Sequence, residues 1–243
     1  MCRLLVFFVL AAALPGLGSN RAFAQTHSSS EPSLPPSGEA AGSRAGSAPP
    51  GEQTVDGIAA RIEDDIITES EVRELSAFQE LVDGKPKPRS EIIKELADQW
   101  IVRGEAALAA FPAPSQADVD RAHQEFVKQF PSPQEFQARC AALGLTDAAV
   151  RRILAQQLFL SRFIDYRFRP AAQVDEAQIE TFYHNEFAPQ LEAKKQPVPP
   201  LEDVEDTIRE VLIQRAISDR AAKWLDDTRG HLKIDVVDQG AKP

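Results

Sequence analysis

The chain has 243 residues, of which 37 are acidic and 27 basic, for a net charge of −10 at pH 7. No cluster of Lys and Arg is available to neutralise phosphates, which excludes nucleic acid as a partner and leaves acidity as a source of solubility. With only two cysteines, Cys2 and Cys140, and Cys2 ahead of an apolar leader, neither a disulfide framework nor a cysteine-based metal site is expected.

Met1-Cys2-Arg3 carries one positive charge, Leu4 to Leu14 is an uncharged apolar run, and Ala22-Phe23-Ala24 has the small-x-small pattern of a cleavage site. Residues 1–24 therefore read as a signal peptide cut after Ala24. A membrane-spanning helix needs about 20 apolar residues. The run is far shorter, so no stable membrane insertion is expected after cleavage, and the chain is expected in the periplasm. Cleavage removes Arg3 and Arg21 and no acid, which moves the net charge to −12. Residues 25–54 are rich in Ser, Pro, Gly and Ala, with Leu34 the only large apolar side chain, and read as a disordered low-complexity tether.

The folded part is expected from Val55. Ile58, Ala60 and Ile62 alternate with Ala59 and Arg61, Glu63-Asp64-Asp65 supplies a turn, and Ile66-Ile67 returns as a second strand. Thr68 with Glu71 three residues on forms a capping box that opens a helix to Val82, with Val72, Leu75, Phe78 and Val82 inward. A helix after Ser90 carries Ile92, Ile93, Leu96, Trp100, Ile101 and Leu108 at helical spacing. Ser115 opens a third, bearing Val119, Phe126, Val127 and Phe130. Ser132-Pro133-Gln134-Glu135 opens a short fourth with Phe136, Cys140 and Leu143, left through Gly144.

Thr146-Asp147 begins a longer helix with Val150, Ile153, Leu154, Leu158 and Ile164 buried, and with Phe159 and Phe163 off that face. Asp175 caps a stretch with Ile179, Phe182, Tyr183 and Phe187 on one stripe. After Pro197, Pro199 and Pro200, Leu201 starts a long helix with Val204, Ile208, Val211, Leu212 and Leu225 inward, ended by Gly230. Leu232, Ile234 and Val236 alternate as one terminal strand. A lone strand needs a partner, so it is expected to pair beside the N-terminal hairpin.

No reactive constellation stands out. His27, His123, His184 and His231 are scattered without metal-ligand spacing and read as surface or rim residues, and Asp64-Asp65 and Asp226-Asp227 point apart as adjacent residues do. Gly42-Ser43-Arg44-Ala45-Gly46 has the wrong spacing for a serine nucleophile elbow, and no phosphate-cradling loop comes after a strand. No catalytic residue, metal site or cofactor is therefore expected. The aromatic residues exceed what one narrow stripe needs. Most are core, but together they suggest a concave surface for extended polypeptide, with Phe111, Phe126, Phe130, Phe136, Phe159, Phe163 and Tyr166 as the candidate peptide-binding set.

Val55 to Ile62, the acidic turn, Ile66 to Val72 and the helices after them resemble the N-terminal domain of the SurA-like periplasmic chaperones. Phe126 to Leu143 is similar to that family's short helix pair, Ala148 to Arg169 to its long helix, and Val174 to Tyr183 to the segment leading into a parvulin-type prolyl isomerase domain. The resemblance implies a mainly α, multi-helix peptide-binding fold with a small β-hairpin paired to a C-terminal strand. Residues 55–191 would form the helical domain, and a long helix and strand within 192–243 would pack back on it. Pro200 to Val204 is similar to the segment on the far side of the isomerase domain, yet Glu192 to Pro199 is only eight residues, and a folded domain needs at least about 50. The expectation is thus an exported, ATP-independent chaperone that binds unfolded polypeptide, with outer-membrane or secreted clients, and lacks the isomerase. The alternatives are a protein with isomerase activity and a periplasmic assembly subunit with one dedicated partner.

Overall fold

A computed structural model of the chain describes residues 56–237. The expected signal peptide (1–24), the expected tether (25–54) and Val55 lie outside the described residues. Three strands, β1 (Ile58–Ile62), β2 (Asp65–Thr68) and β3 (Ile234–Val236), form one antiparallel sheet in the order β2-β1-β3, so the C-terminal strand does lie beside the hairpin. Ile62 pairs with Asp65, which leaves Glu63 and Asp64 as a two-residue turn and moves Asp65, expected in the turn, into β2. Glu63 takes the positive φ of 49° that such tight hairpin turns favour. The contacts that hold it there come from the other end of the chain. Its N–H donates to the Lys233 carbonyl at 3.0 Å, and its carboxylate accepts from the Lys233 N–H at 2.7 Å.

Strict alternation along β1 fails at one place. The register shifts between Ile58 and Ala60, a bulge that turns both Ala59 and Ala60 inward, where small side chains fit. Ile62 and Ile67 then pack with Val72, Leu75, Ile92, Ile93 and Leu96 from the first two helices, and Leu232 and Ile234 close this cluster from the C-terminal side.

Helix α1 (Glu69–Asp83) starts with the expected box: the Thr68 hydroxyl accepts from the Glu71 N–H at 3.2 Å, and the Glu71 carboxylate accepts from the Thr68 N–H at 2.8 Å. The Glu69 and Ser70 N–H groups are also taken, by the Gly57 carbonyl and the Asp56 carboxylate. Replacing Thr68 by alanine is expected to cost about 1 kcal/mol, read as a lower urea midpoint with unchanged slope. The inward face of α1 is Val72, Leu75, Phe78 and Leu81. Val82, expected inward, is exposed, because the fourth contact of the stripe falls one residue earlier. Gly84 ends the helix at φ 70°, a conformation costly for any residue with a Cβ.

Helix α2 (Arg89–Leu108) starts one residue ahead of Ser90, and Leu108, expected inward, is 85% exposed at its C-terminal end. Helices α3 (Gln116–Val127), α4 (Pro133–Ala142) and α5 (Asp147–Phe168) begin at the expected caps. The hydroxyls of Ser115, Ser132 and Thr146 accept from the N–H of Asp118, Glu135 and Ala149 at 3.1–3.2 Å. Phe130 lies beyond the end of α3. Phe163 corrects the expectation that it lies off the buried face of α5. It is 1% exposed, and packs with Ile101, Val102, Ile217 and Ala221 where α2, α5 and the last helix meet.

A 3-10 turn (Arg169–Ala171) leads to α6 (Glu176–Phe182), capped by Asp175 with Gln178, then a π-helical turn (Tyr183–Phe187) and α7 (Ala188–Ala193). The Tyr183 hydroxyl donates to the Pro199 carbonyl at 2.7 Å, which fastens the proline link to this unit. Helix α8 (Leu201–Arg229) packs its first half on Ile179 and Phe182 through Ile208, and its second half on α2 and α5 through Ile217, Ala221 and Leu225. Of the expected inward stripe, Val204, Val211 and Leu212 are only half-buried. The Arg169 guanidinium reaches both the Asp165 and Glu210 carboxylates at 2.7–3.0 Å, tying the end of α5 to α8.

Candidate binding surface

The seven candidate aromatic residues fall into two separate groups. Phe126, Phe130 and Phe136 pack edge-to-face on one another with ring centroids 5.2–6.0 Å apart, and Phe126 also stacks on Phe78. Phe126 and Phe136 are buried with Cys140 between α1, α3, α4 and α5. Burial, and after it the nearby Asp147 carboxylate, pushes the Cys140 thiol up and keeps it protonated. Phe111, Phe159, Phe163 and Tyr166 make the second group. Phe111 is its hub, with centroids 5.8 Å from Phe159, 5.4 Å from Phe163 and 5.3 Å from Tyr166. Burial grades outward through this group, from Phe163 in the core, through half-buried Phe111 and Phe159, to Tyr166 at 62% exposed.

Phe159 also lines an open depression of about 430 Å³ between α2, α3 and α5, together with Pro114, Val119 and Ala155. A second depression of similar size lies against the sheet, lined by Asp65, Ile66, Trp100 and Gly104. Arg103 lines both. The walls are fixed by polar contacts behind them. The Trp100 indole N–H donates to the Asp65 carboxylate at 2.8 Å, and Gln156 donates to Gln99 across α5 and α2 at 2.6 Å. Arg162 of α5 donates to the Asp118 carboxylate at 3.1 Å, and the Ser115 hydroxyl donates to it at 2.8 Å, so the cap of α3 is tied to α5.

The Arg162 guanidinium, and then Ser115, hold the Asp118 carboxyl well below the usual carboxylate range. A depressed folded pKa contributes stability above the ordinary carboxylate pKa of about 3.9 and loses it only as pH falls through the folded value. This wall is therefore intact at neutral and mildly acidic pH.

Phe159, expected off the buried face of α5, lines the first depression, whereas Arg103, Pro114 and Val119 beside it, and Trp100 and Gly104 at the second, were not singled out for binding from the sequence. Gly104 was the readable signal. It stands inside a helix, where glycine costs stability, and a Cβ added there meets nothing within 4 Å. His123, expected at the surface or rim, is instead buried. Its Nε2 lies 2.8 Å from the Asp147 carboxylate, and its ring packs edge-on against Phe136. Among the described residues, no group of three or more His, Cys, Asp or Glu is placed to hold a metal ion, and no helix is long and apolar enough to cross a membrane. No protein-family model matches the chain, and no curated protein matches it.

Proposed function

We propose that the protein is an exported, ATP-independent chaperone of the SurA-like class that binds unfolded or extended polypeptide at the surface that carries both depressions, between α2, α3 and α5 on one side of Arg103 and against the sheet on the other. The observation that carries this reading is the continuity of Phe159 in the open depression with half-buried Phe111 and exposed Tyr166. Apolar surface left open in this way suits weak, sequence-tolerant contacts with extended chains. The short link between α7 and α8, residues 194–200, leaves no room for an isomerase domain at the place where the resemblance would put one. No acceleration of proline isomerisation in a short peptide is therefore expected.

The test is suppression of aggregation of an unfolded outer-membrane protein, paired with Gly104→Gln. That substitution replaces a helix-interior glycine, which favours the helix by roughly 0.5–1 kcal/mol, and places a side chain in the second depression. The expected result is a variant at least as stable as the parent that suppresses aggregation less well. A parent protein that neither slows aggregation nor binds extended peptide removes the chaperone reading. One stoichiometric folded partner in periplasmic crosslinking would replace it with that of an assembly subunit.

A further inference from the structure

We propose that Arg103 selects client segments in which a single internal Glu or Asp is flanked by apolar residues, an inference that rests on the chaperone reading and names what the surface takes. Arg103 is exposed, and among the described residues nothing accepts a hydrogen bond from its guanidinium or pairs with its charge. Three acids on the neighbouring elements are already engaged: Asp65 with the Trp100 indole, Asp118 with Arg162 and Ser115, and Glu105 with Arg167 at 2.9 Å. There remains a planar fork of donors facing solvent, with Val119, Ala155 and Phe159 on one side and Ile66 and Trp100 on the other. Such a fork is complementary to a carboxylate.

Two features narrow the ligand further. The first depression is mainly apolar, and the second offers Ile66 and Trp100 beside the Asp65 carboxylate, so a chain that fills both runs past the arginine, and the acid is a side chain inside the segment. A C-terminal carboxylate would leave one depression empty. Alternate side chains of an extended strand share a face, which places apolar residues two positions either side of the acid. The protein's own net charge of −10 repels segments with many acids. The preferred segment is therefore apolar with one acid.

Fluorescence anisotropy on the purified protein tests this with capped peptides that differ only in a central Glu, Gln or Lys and carry apolar residues two positions away on each side. A fourth peptide has a central Gln and a free C-terminal carboxylate. The Glu peptide is expected to bind roughly fivefold tighter than the Gln peptide, the gain of an exposed charge pair, and the Lys peptide weakest. Arg103→Gln is expected to equalise Glu and Gln, and Arg103→Glu to favour Lys, with unchanged circular dichroism because the side chain is exposed. Equal affinity of the parent for Glu and Gln overturns the inference and leaves the chaperone reading standing. A Glu preference that survives Arg103→Gln, or tighter binding of the free-carboxylate peptide, also overturns it. If no peptide binds, both readings fall.

Discussion

Phe163→Ala is expected to destabilise the protein by about 3–5 kcal/mol, the range for emptying a buried phenylalanine site. The ring is 1% exposed, and its neighbours come from three helices, with Ile101 and Val102 on α2, Ile164 on α5, and Ile217 and Ala221 on α8. Those helices are fixed relative to one another by other contacts, including the Arg169 bridge from α5 to Glu210 on α8 and the Arg229 bridge from α8 to Asp98 on α2, so they cannot simply collapse into the space. Against a typical domain stability of about 5–15 kcal/mol the loss is a large fraction. Urea unfolding should show a strongly lowered midpoint with little change in slope. Tyr166→Ala, from the same aromatic group but 62% exposed, should cost far less. Equal losses for the two would mean that Phe163 does not anchor the three-helix junction. A second effect is expected at the surface. Phe111 rests on Phe163 and in turn backs Phe159, so under the proposed chaperone function the same substitution should weaken peptide binding without touching the depression directly.

The parts of the fold that were legible in the sequence are those whose chemistry is local. Thr68, Ser115, Ser132, Thr146 and Asp175 announce helix starts because a short side chain and the N–H three residues on settle the bond between them. Gly84 and Gly144 mark exits because the left-handed conformation disfavours other residues. The β1–β3 pairing, although it joins the two ends of the described chain, was legible by elimination, since a single terminal strand with alternating apolar residues requires an edge to join.

The features that were not legible depend on distances between elements. Periodicity alone does not say whether Leu81 or Val82 completes the face of α1, or that Leu108 has run past the last helix able to cover it. The bulge at Ala59 is a register shift in the pairing of β1 with β2, which alternation along β1 alone does not reveal. The candidate aromatic residues look like one set in sequence, yet Phe130 and Phe136 sit at the α3–α4 corner while Phe159 and Tyr166 run along α5 toward α8. Which side of α2 stays open was likewise invisible, because it is set by how far α3 and α5 stand from it. Arg103 in a one-dimensional reading is an ordinary polar residue between Val102 and Gly104.

Arg229→Met is expected to cost about 2 kcal/mol at neutral pH, and to cost less as the solution is acidified. Arg229 is the last residue of α8, and its guanidinium bridges the carboxylates of Asp98 on α2 and Asp226 on its own helix. The Arg229 and Asp98 side chains are 16% and 24% exposed, so the pair is largely withdrawn from water. Burial pushes the Asp98 carboxyl above its ordinary value, Arg229 and then Lys94 oppose that push, and Asp226 adds to it. Methionine keeps the apolar length of the arginine stem but removes the charge and the donors, leaving a partly buried carboxylate without its main partner. Breaking a fully buried pair costs about 3–5 kcal/mol, and the remaining exposure here reduces the figure.

The pH dependence comes from the direction of the Asp98 shift. With its folded pKa raised, the folded state holds the proton more tightly than the unfolded state, where the carboxyl titrates near about 3.9. That contribution to stability is fully present below the unfolded value and is lost as pH rises through the folded one. Losing Arg229 raises the folded pKa further, so the window widens upward. The stability gap between parent and variant should then be narrowest near about pH 4 and widest near about pH 7, measured by urea unfolding at a series of pH values. Adding Asp98→Asn to the variant removes the unpaired charge and should restore part of the neutral-pH loss. A deficit that stays constant with pH, and that Asp98→Asn does not relieve, would mean that Arg229 acts through packing of its stem at the α2–α8 contact rather than through its charge.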